Sequence, residues 1–288
     1  DALAVNILKN EQQDWGNTFQ AIGSRLGFIV GGGAILLFLD LLQWQSTFLF
    51  LAALVFLNML PILKFKEPSH HLAVSETVPA STRIRMKTYF RYFCSDSTLA
   101  RWLLVLLTFK IADGLSGPLL KPLMVDMGLS LSQIGIYVTM LGAFAALLGA
   151  GLAGWCLKYW SRPRSLLVFS IVKILTLMAY AWLAGQYEAQ LPINHWVIYA
   201  INAAEDMVSA MLLVVMLTLI MQYSRKHLAG TDFTFQVSVM ATVSGGLYSL
   251  SGILGDYLGY TQYLTYIVWI SVLLLWPIIL WGRTTQKS

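Results

Sequence analysis

"HWVIYAINAAEDMVSAMLLVVMLTLIMQ", residues His195–Gln222, is an apolar run with two adjacent carboxylates, Glu205 and Asp206, near its centre. The run is long enough to span the roughly 30 Å hydrocarbon core of a bilayer, which takes about 20 helical residues. Seven similar segments can be drawn, near 19–39, 46–63, 102–125, 134–157, 165–184, 234–255 and 263–281. Across the chain 57% of residues are hydrophobic and only 11% charged, whereas soluble domains carry roughly 25% charged residues. These segments lack the polar face a soluble amphipathic helix needs. The sequence therefore predicts an all-α polytopic membrane protein with about eight transmembrane helices.

Charge sets the expected orientation. Of 19 basic residues, fifteen fall in one alternating set of connections, among them Lys64, Arg83, Lys87, Arg101, Lys158, Arg162, Arg164, Arg225 and Arg283. The other set holds none and carries only Asp40, Asp126, Glu188 and Asp256. Basic loops stay in the cytoplasm, so the longest connection and the C-terminus are expected there. A net charge of +5 then reflects topology and anionic lipid, with no nucleic-acid partner. Neither Cys94 nor Cys156 is placed for a disulfide under that topology. His70-His71 lacks the spaced partners a metal site needs, and no metal or cofactor is expected.

The polar connection 64–101 reads as an inter-domain linker, dividing two spans in residues 1–63 from six in 102–288. A first residue of Asp, with no signal peptide ahead of the first span, predicts a truncated chain. In a protein of two six-span halves, 1–63 would be a remnant of the first half. Such a chain is expected not to transport by itself. Gly23, Gly27 and Gly31, four residues apart, form a small-residue stripe suited to close helix packing.

Seven ionisable residues lie inside the predicted spans: Arg25, Lys110, Asp113, Lys121, Lys173, Glu205 and Asp206. A charge at the bilayer centre costs at least ~2.5–3.5 kcal/mol on insertion scales. From the helical rise, Lys110 and Lys173 lie about 12 Å from the inner surface and Glu205 about 15 Å from the outer one. All three fall near the midplane, where they predict an interior polar site; a salt bridge that only fixes packing is the competing reading. Asn202, Glu205 and Ser209 share a helix face, and Asp206 turns about 100° away, toward a neighbouring helix. In "FKIADGLSGPLLKPLMVD" (Phe109–Asp126), Lys110 and Asp113 can pair at i, i+3, and Pro118 and Pro122 weaken the ladder beyond them. Lys121 is expected to snorkel to the outer surface. The candidate substrate or coupling residues are thus Glu205, Asp206, Lys110, Asp113, Lys173, Asn202 and Arg25, with Lys110 and Lys173 suited to an anionic group on a solute.

Four stretches resemble a known family. "DALAVNILKNEQQDWGNTFQAIGSRLGFIVGGG" (Asp1–Gly33), "KPLMVDMGLSLSQIG" (Lys121–Gly135), "NAAEDMVSAMLLVVMLTLIMQY" (Asn202–Tyr223) and "AGTDFTFQVSV" (Ala229–Val239) are similar to parts of the major facilitator transporters of the AmpG-like group. That group includes muropeptide permeases and the RhtX/FptX siderophore importers. One departure is the turn "GWCLKYWSRPRS" (Gly154–Ser165), where Lys158 replaces the aspartate of the family pattern, which places in doubt the gating salt bridge of that turn.

The resemblance implies a major-facilitator-type helix bundle, with the eight spans as helices 5–12 of 12, and alternating access around a midplane site. It implies a secondary transporter of the bacterial inner membrane driven by an ion gradient, most of all for siderophore uptake, with a muropeptide permease as the alternative and a membrane receptor or scaffold as the alternative of another class; proton symport is expected from the Glu205 carboxylate in a low-dielectric site. The partners implied are the solute, the bilayer and the four preceding helices. An intramembrane enzyme is not expected: "GILGDYLG" (Gly252–Gly259) places Asp256 at the outer boundary, without the second carboxylate that acid–base hydrolysis needs.

Overall fold

The computed structural model describes residues 10–29, 44–64, 92–130 and 133–285. Six helical segments within it are long and apolar enough to cross a membrane: Ser97–Asp126, Ile134–Tyr159, Arg162–Glu188, His195–Gln222, Ala229–Leu258 and Tyr260–Thr284. Two of them are jointed. The first comprises α3 (Ser97–Phe109) and α4 (Ile111–Asp126), meeting at Lys110, and the last comprises α9 (Tyr260–Leu273) and α10 (Leu275–Thr285). Between them run α5 (Leu141–Tyr159), entered through a π-helical stretch at Ile134–Met140, then α6 (Arg162–Glu188), α7 (His195–Gln222) and α8 (Ala229–Leu258). Two further helices precede them, α1 (Asn10–Phe28) and α2 (Trp44–Lys64). Gly31 and residues 65–91, which hold most of the expected linker, lie outside the described residues, as do His70 and His71.

Local chemistry accounts for the helix ends. Asp96 caps α3 by accepting from the Thr98 amide at 3.3 Å, and Asn194 caps α7 through the Trp196 amide at 3.0 Å. Pro163 sits in the first turn of α6, where its missing N–H costs no hydrogen bond. Gly259, at φ +75°, turns α8 into α9 in a conformation that glycine adopts without strain.

Exposed apolar stripes recur at helical spacing, with Leu148, Leu152 and Trp155 on α5 and Ile171, Leu175, Met178 and Trp182 on α6. Apolar surface of this extent marks contact with a membrane or with further protein. Inside, two apolar clusters form. One, toward the end that carries Arg162 and Arg225, is built on Trp102, Leu106, Leu166, Val214, Met216, Ile220 and Trp281. The other is built on Leu123, Met124, Leu177, Tyr180, Leu183, Ile198 and Ile267.

Helices approach closely where side chains are smallest, because packing rather than a hydrophobic driving force holds membrane helices together. On α5, Ala146, Ala150 and Ala153 are fully buried, and a methyl group at Gly149 would fall on the Met207 carbonyl of α7. The α4–α8 pair is equally tight: a Cβ on Gly114 would lie 2.8 Å from the Ser244 carbonyl oxygen, and one on Gly255 2.5 Å from Leu119 Cδ1. Helix α1 docks on α5 and α7 through only part of its length. Gln13, Asn17, Thr18 and Ala21 are buried, whereas Gly23 and Gly27 have open space where a side chain would project.

These contacts predict opposite outcomes for two neighbouring glycines. Gly149→Ala should separate α5 from α7 and destabilise the chain by about 1–3 kcal/mol, whereas Gly151→Ala, which meets nothing within 4 Å, should stay within about 0.5 kcal/mol of wild type. Equilibrium unfolding in mixed SDS–detergent micelles measures both.

Candidate functional site

The polar residues of the bundle sit where one apolar cluster gives way to the other. In three of the spans the changeover is occupied by charge: Lys110 and Asp113 between Leu106 and Leu115, Lys173 between Phe169 and Leu177, and Glu205 and Asp206 between Tyr199 and Val208. The joint between α3 and α4 puts Lys110 at a break in the helix, and its ammonium reaches Asp113 Oδ2 at 2.6 Å. Asp113 uses its other oxygen for Lys173, with Nζ 3.2 Å from Oδ1.

Lys173 is the centre of the arrangement and is only 7% exposed. Its ammonium meets Asp113, pairs with Glu205 and lies 2.6 Å from Ser209 Oγ. Three donors thus meet three acceptors, the full capacity of a lysine head group. Ser209 Oγ donates to Glu205 Oε1 at 3.0 Å, closing a ring of lysine, hydroxyl and carboxylate. A continuous chain of alternating charge runs Lys110–Asp113–Lys173–Glu205 across α4, α6 and α7.

Asp206 has a separate environment. Its Oδ2 accepts from Asn202 Nδ2 at 3.0 Å and stands where Gly142 of α5 has no side chain. Asn202 Nδ2 also donates to the Val138 carbonyl at 3.1 Å, within the π-helical stretch, and Asn202 Oδ1 accepts from Tyr180 OH at 3.1 Å. π-helical insertions often accompany functional positions. Asn202 therefore serves Asp206, and Ser209 takes the place beside Glu205 that the shared helix face offered to both.

A cavity of about 410 Å³ opens over these groups. Its wall includes Lys110, Asp113, Lys173, Asn202, Glu205 and Asp206, so six of the seven candidate residues border one space. Glu205 and Asp206 share it although Asp206 also faces a neighbouring helix. Arg25 is on α1, and its side chain lies outside the described ones. The structure adds Lys121, Ser116, Thr139 and Ser209 to the wall and Tyr180 behind it. Two of these carry a legible spacing: Ser209 is four residues from Glu205, and Tyr180 seven from Lys173.

At the basic end of the helices a second polar contact joins α1 to the α5–α6 turn. Arg162 Nε lies 3.2 Å from Asp14 Oδ1, and Arg162 Nη1 donates to Gln222 Oε1 at 2.8 Å. Burial pushes the Asp14 carboxyl above its ordinary range, against the opposing pull of Arg162. The turn that carries Lys158 thus makes an ion pair, through Arg162, with an acid from α1. Close by, Asn17 Nδ2 donates to Thr218 Oγ1 at 3.0 Å.

Comparison with known proteins agrees with this architecture. Residues 1–255 match the family described as Major Facilitator Superfamily. The chain is 25% identical over 248 residues to the anhydromuropeptide permease of Escherichia coli (strain K12), covering 84% of this chain and 48% of that protein. It is also 25% identical over 193 residues to the putative transporter AmpG 4 of Rickettsia felis, covering 65% of this chain and 46% of that protein. The chain spans about half the length of these curated relatives.

The charge chain predicts an ordered set of stabilities. Lys173→Met leaves Glu205 without its cation and should cost about 3–5 kcal/mol, as breaking a buried pair does. Glu205→Gln should cost less, because Asp113 still meets Lys173. The double variant should lose clearly less than the sum of the two, and unfolding of all three in SDS–detergent micelles measures that coupling.

Proposed function

The chain belongs to the Major Facilitator Superfamily, and on that premise we propose that it forms part of a secondary transporter, rather than an enzyme, which carries an organic solute across the bacterial inner membrane by alternating access. The six spans from Ser97 onward are one half of the transporter, and α1 and α2 belong to the other half, whose remaining helices complete the cavity. The basic end of the helices is cytoplasmic, following the loop charges.

The observation that carries this reading is the sharing of Lys173 by two carboxylates beside the cavity. Transport needs a site with two arrangements of similar free energy, biased by solute and ion. A proton on Glu205 cancels its charge and leaves Lys173 to Asp113, so the buried ammonium is never without a partner. Proton binding at Glu205 and solute binding in the adjoining space are thereby coupled, and the solute is carried in symport with the proton.

Two solute classes fit. A muropeptide-like solute is supported by the name of the Escherichia coli relative. Siderophore uptake rests on the motif resemblance of the four stretches above.

The test is uptake of labelled anhydromuropeptide and of ferric siderophores by cells whose full-length gene is deleted, then restored as wild type or Glu205→Gln. Restoration of uptake of one class by wild type identifies the solute. Glu205→Gln, which keeps the shape and loses the titratable proton, should reduce accumulation at least roughly a hundredfold, about 3 kcal/mol in coupling, with protein level unchanged. Accumulation equal to wild type removes Glu205 from the coupling role.

A further inference from the structure

We propose that Lys121 is the cavity's solute-binding cation, and that the solute it selects is elongated and carries a carboxylate or similar anionic group at one end. This rests on the transport reading above. Lys110 and Lys173, the cations that depth in the membrane points to, are already engaged with Asp113 and Glu205. An incoming anion would have to compete with those carboxylates for each of them.

Lys121 differs in both respects. It is exposed and lies on the cavity wall, and it makes no hydrogen bond or ion pair with any other described residue. Its full positive charge is thus presented to the space itself. A snorkelling lysine would extend to the headgroups; here the side chain borders the same volume as Glu205 and Asp206.

Spacing sets the length of the solute. Lys110, Gly117 and Lys121 are at i, i+7 and i+11 on the cavity side of the α3–α4 span, so Lys121 stands about 12 Å along the helix from Asp113 and about 16 Å from Lys110 at the rise of an α-helix. The wall around it is apolar in Leu120, Met124 and Val138 and polar in Thr139. A solute reaching both ends places an anion on Lys121, lays apolar or weakly polar surface along that wall, and brings its far end to the groups that take the proton. A compact anion would occupy Lys121 without reaching Glu205 and would not be coupled.

Equilibrium binding to the purified full-length protein tests this, using radiolabelled anhydromuropeptide and the same compound with its peptide carboxylates converted to amides. A charged hydrogen-bond partner is worth about tenfold or more in affinity. Wild type should therefore bind the acid at least roughly tenfold more tightly than the amide. Lys121→Gln should lose that preference by binding the acid more weakly and the amide unchanged, and Lys121→Arg should keep most of it. A snorkelling role predicts instead a lower yield of inserted protein with the preference intact.

Wild type that binds acid and amide equally, or Lys121→Gln that keeps the preference, overturns the assignment of Lys121 and leaves the transport reading standing. Wild type that binds neither form overturns the muropeptide reading and this proposal with it.

Discussion

A protonated amine inside a bilayer must be met by negative charge or by water, since the cost of leaving it bare exceeds what most packing contacts return. Lys173 satisfies that constraint with every donor it has. Because its acceptors come from α4 and α7 while the lysine itself is on α6, three helices are tied in register at one depth. Replacing a buried chain of this kind with apolar residues is often neutral or stabilising in other proteins. Its presence is therefore better explained by the cavity beside it than by stability alone.

Close helix packing makes the chain of charges geometrically attainable. A lysine head group spans only a few ångströms, so α4, α6 and α7 must stay near one another at the changeover between the two apolar clusters. Gly114 lets α8 approach α4 and Gly149 lets α7 approach α5, which packs the helices around the three that carry the charges, and Gly142 leaves the space that the Asp206 carboxylate occupies. The π-helical stretch at Ile134–Met140 supplies the Val138 carbonyl for Asn202. Each of these details serves the polar layer, while the apolar clusters on either side exclude water from all but its open face.

The contact at the basic end gives the same fold a second tie. Asp14, Arg162 and Gln222 bring α1, the α5–α6 turn and α7 together, and a glycine, Gly154, lets Thr18 approach α5 with its Oγ1 2.5 Å from where a Cβ would stand. The two side chains of the Arg162–Asp14 pair are only 16% and 14% exposed, so the pair is largely shielded from water, and removing one partner would leave the other charge poorly compensated.

Much of this was legible in one dimension. Apolar run length determined the spans after Arg101, because bilayer thickness imposes a length on any helix that crosses it, and the cost of buried charge picked out Lys110, Asp113, Lys173, Glu205 and Asp206 against an apolar background. Pairing did not follow from spacing along the chain. Glu205 and Asn202 share a helix face, yet Lys173 drew Glu205 to Ser209 and Gly142 drew Asp206 to Asn202, since each choice depends on which neighbouring helix stands opposite. Lys121 shows the same limit: its position near a helix end predicts snorkelling, and only the arrangement of α4, α5, α6 and α7 around one space sets it on a cavity wall. Depth and helix length are properties of a segment and its solvent, so the sequence determined them; partners and cavities are properties of several segments at once, and the tertiary structure alone decided those.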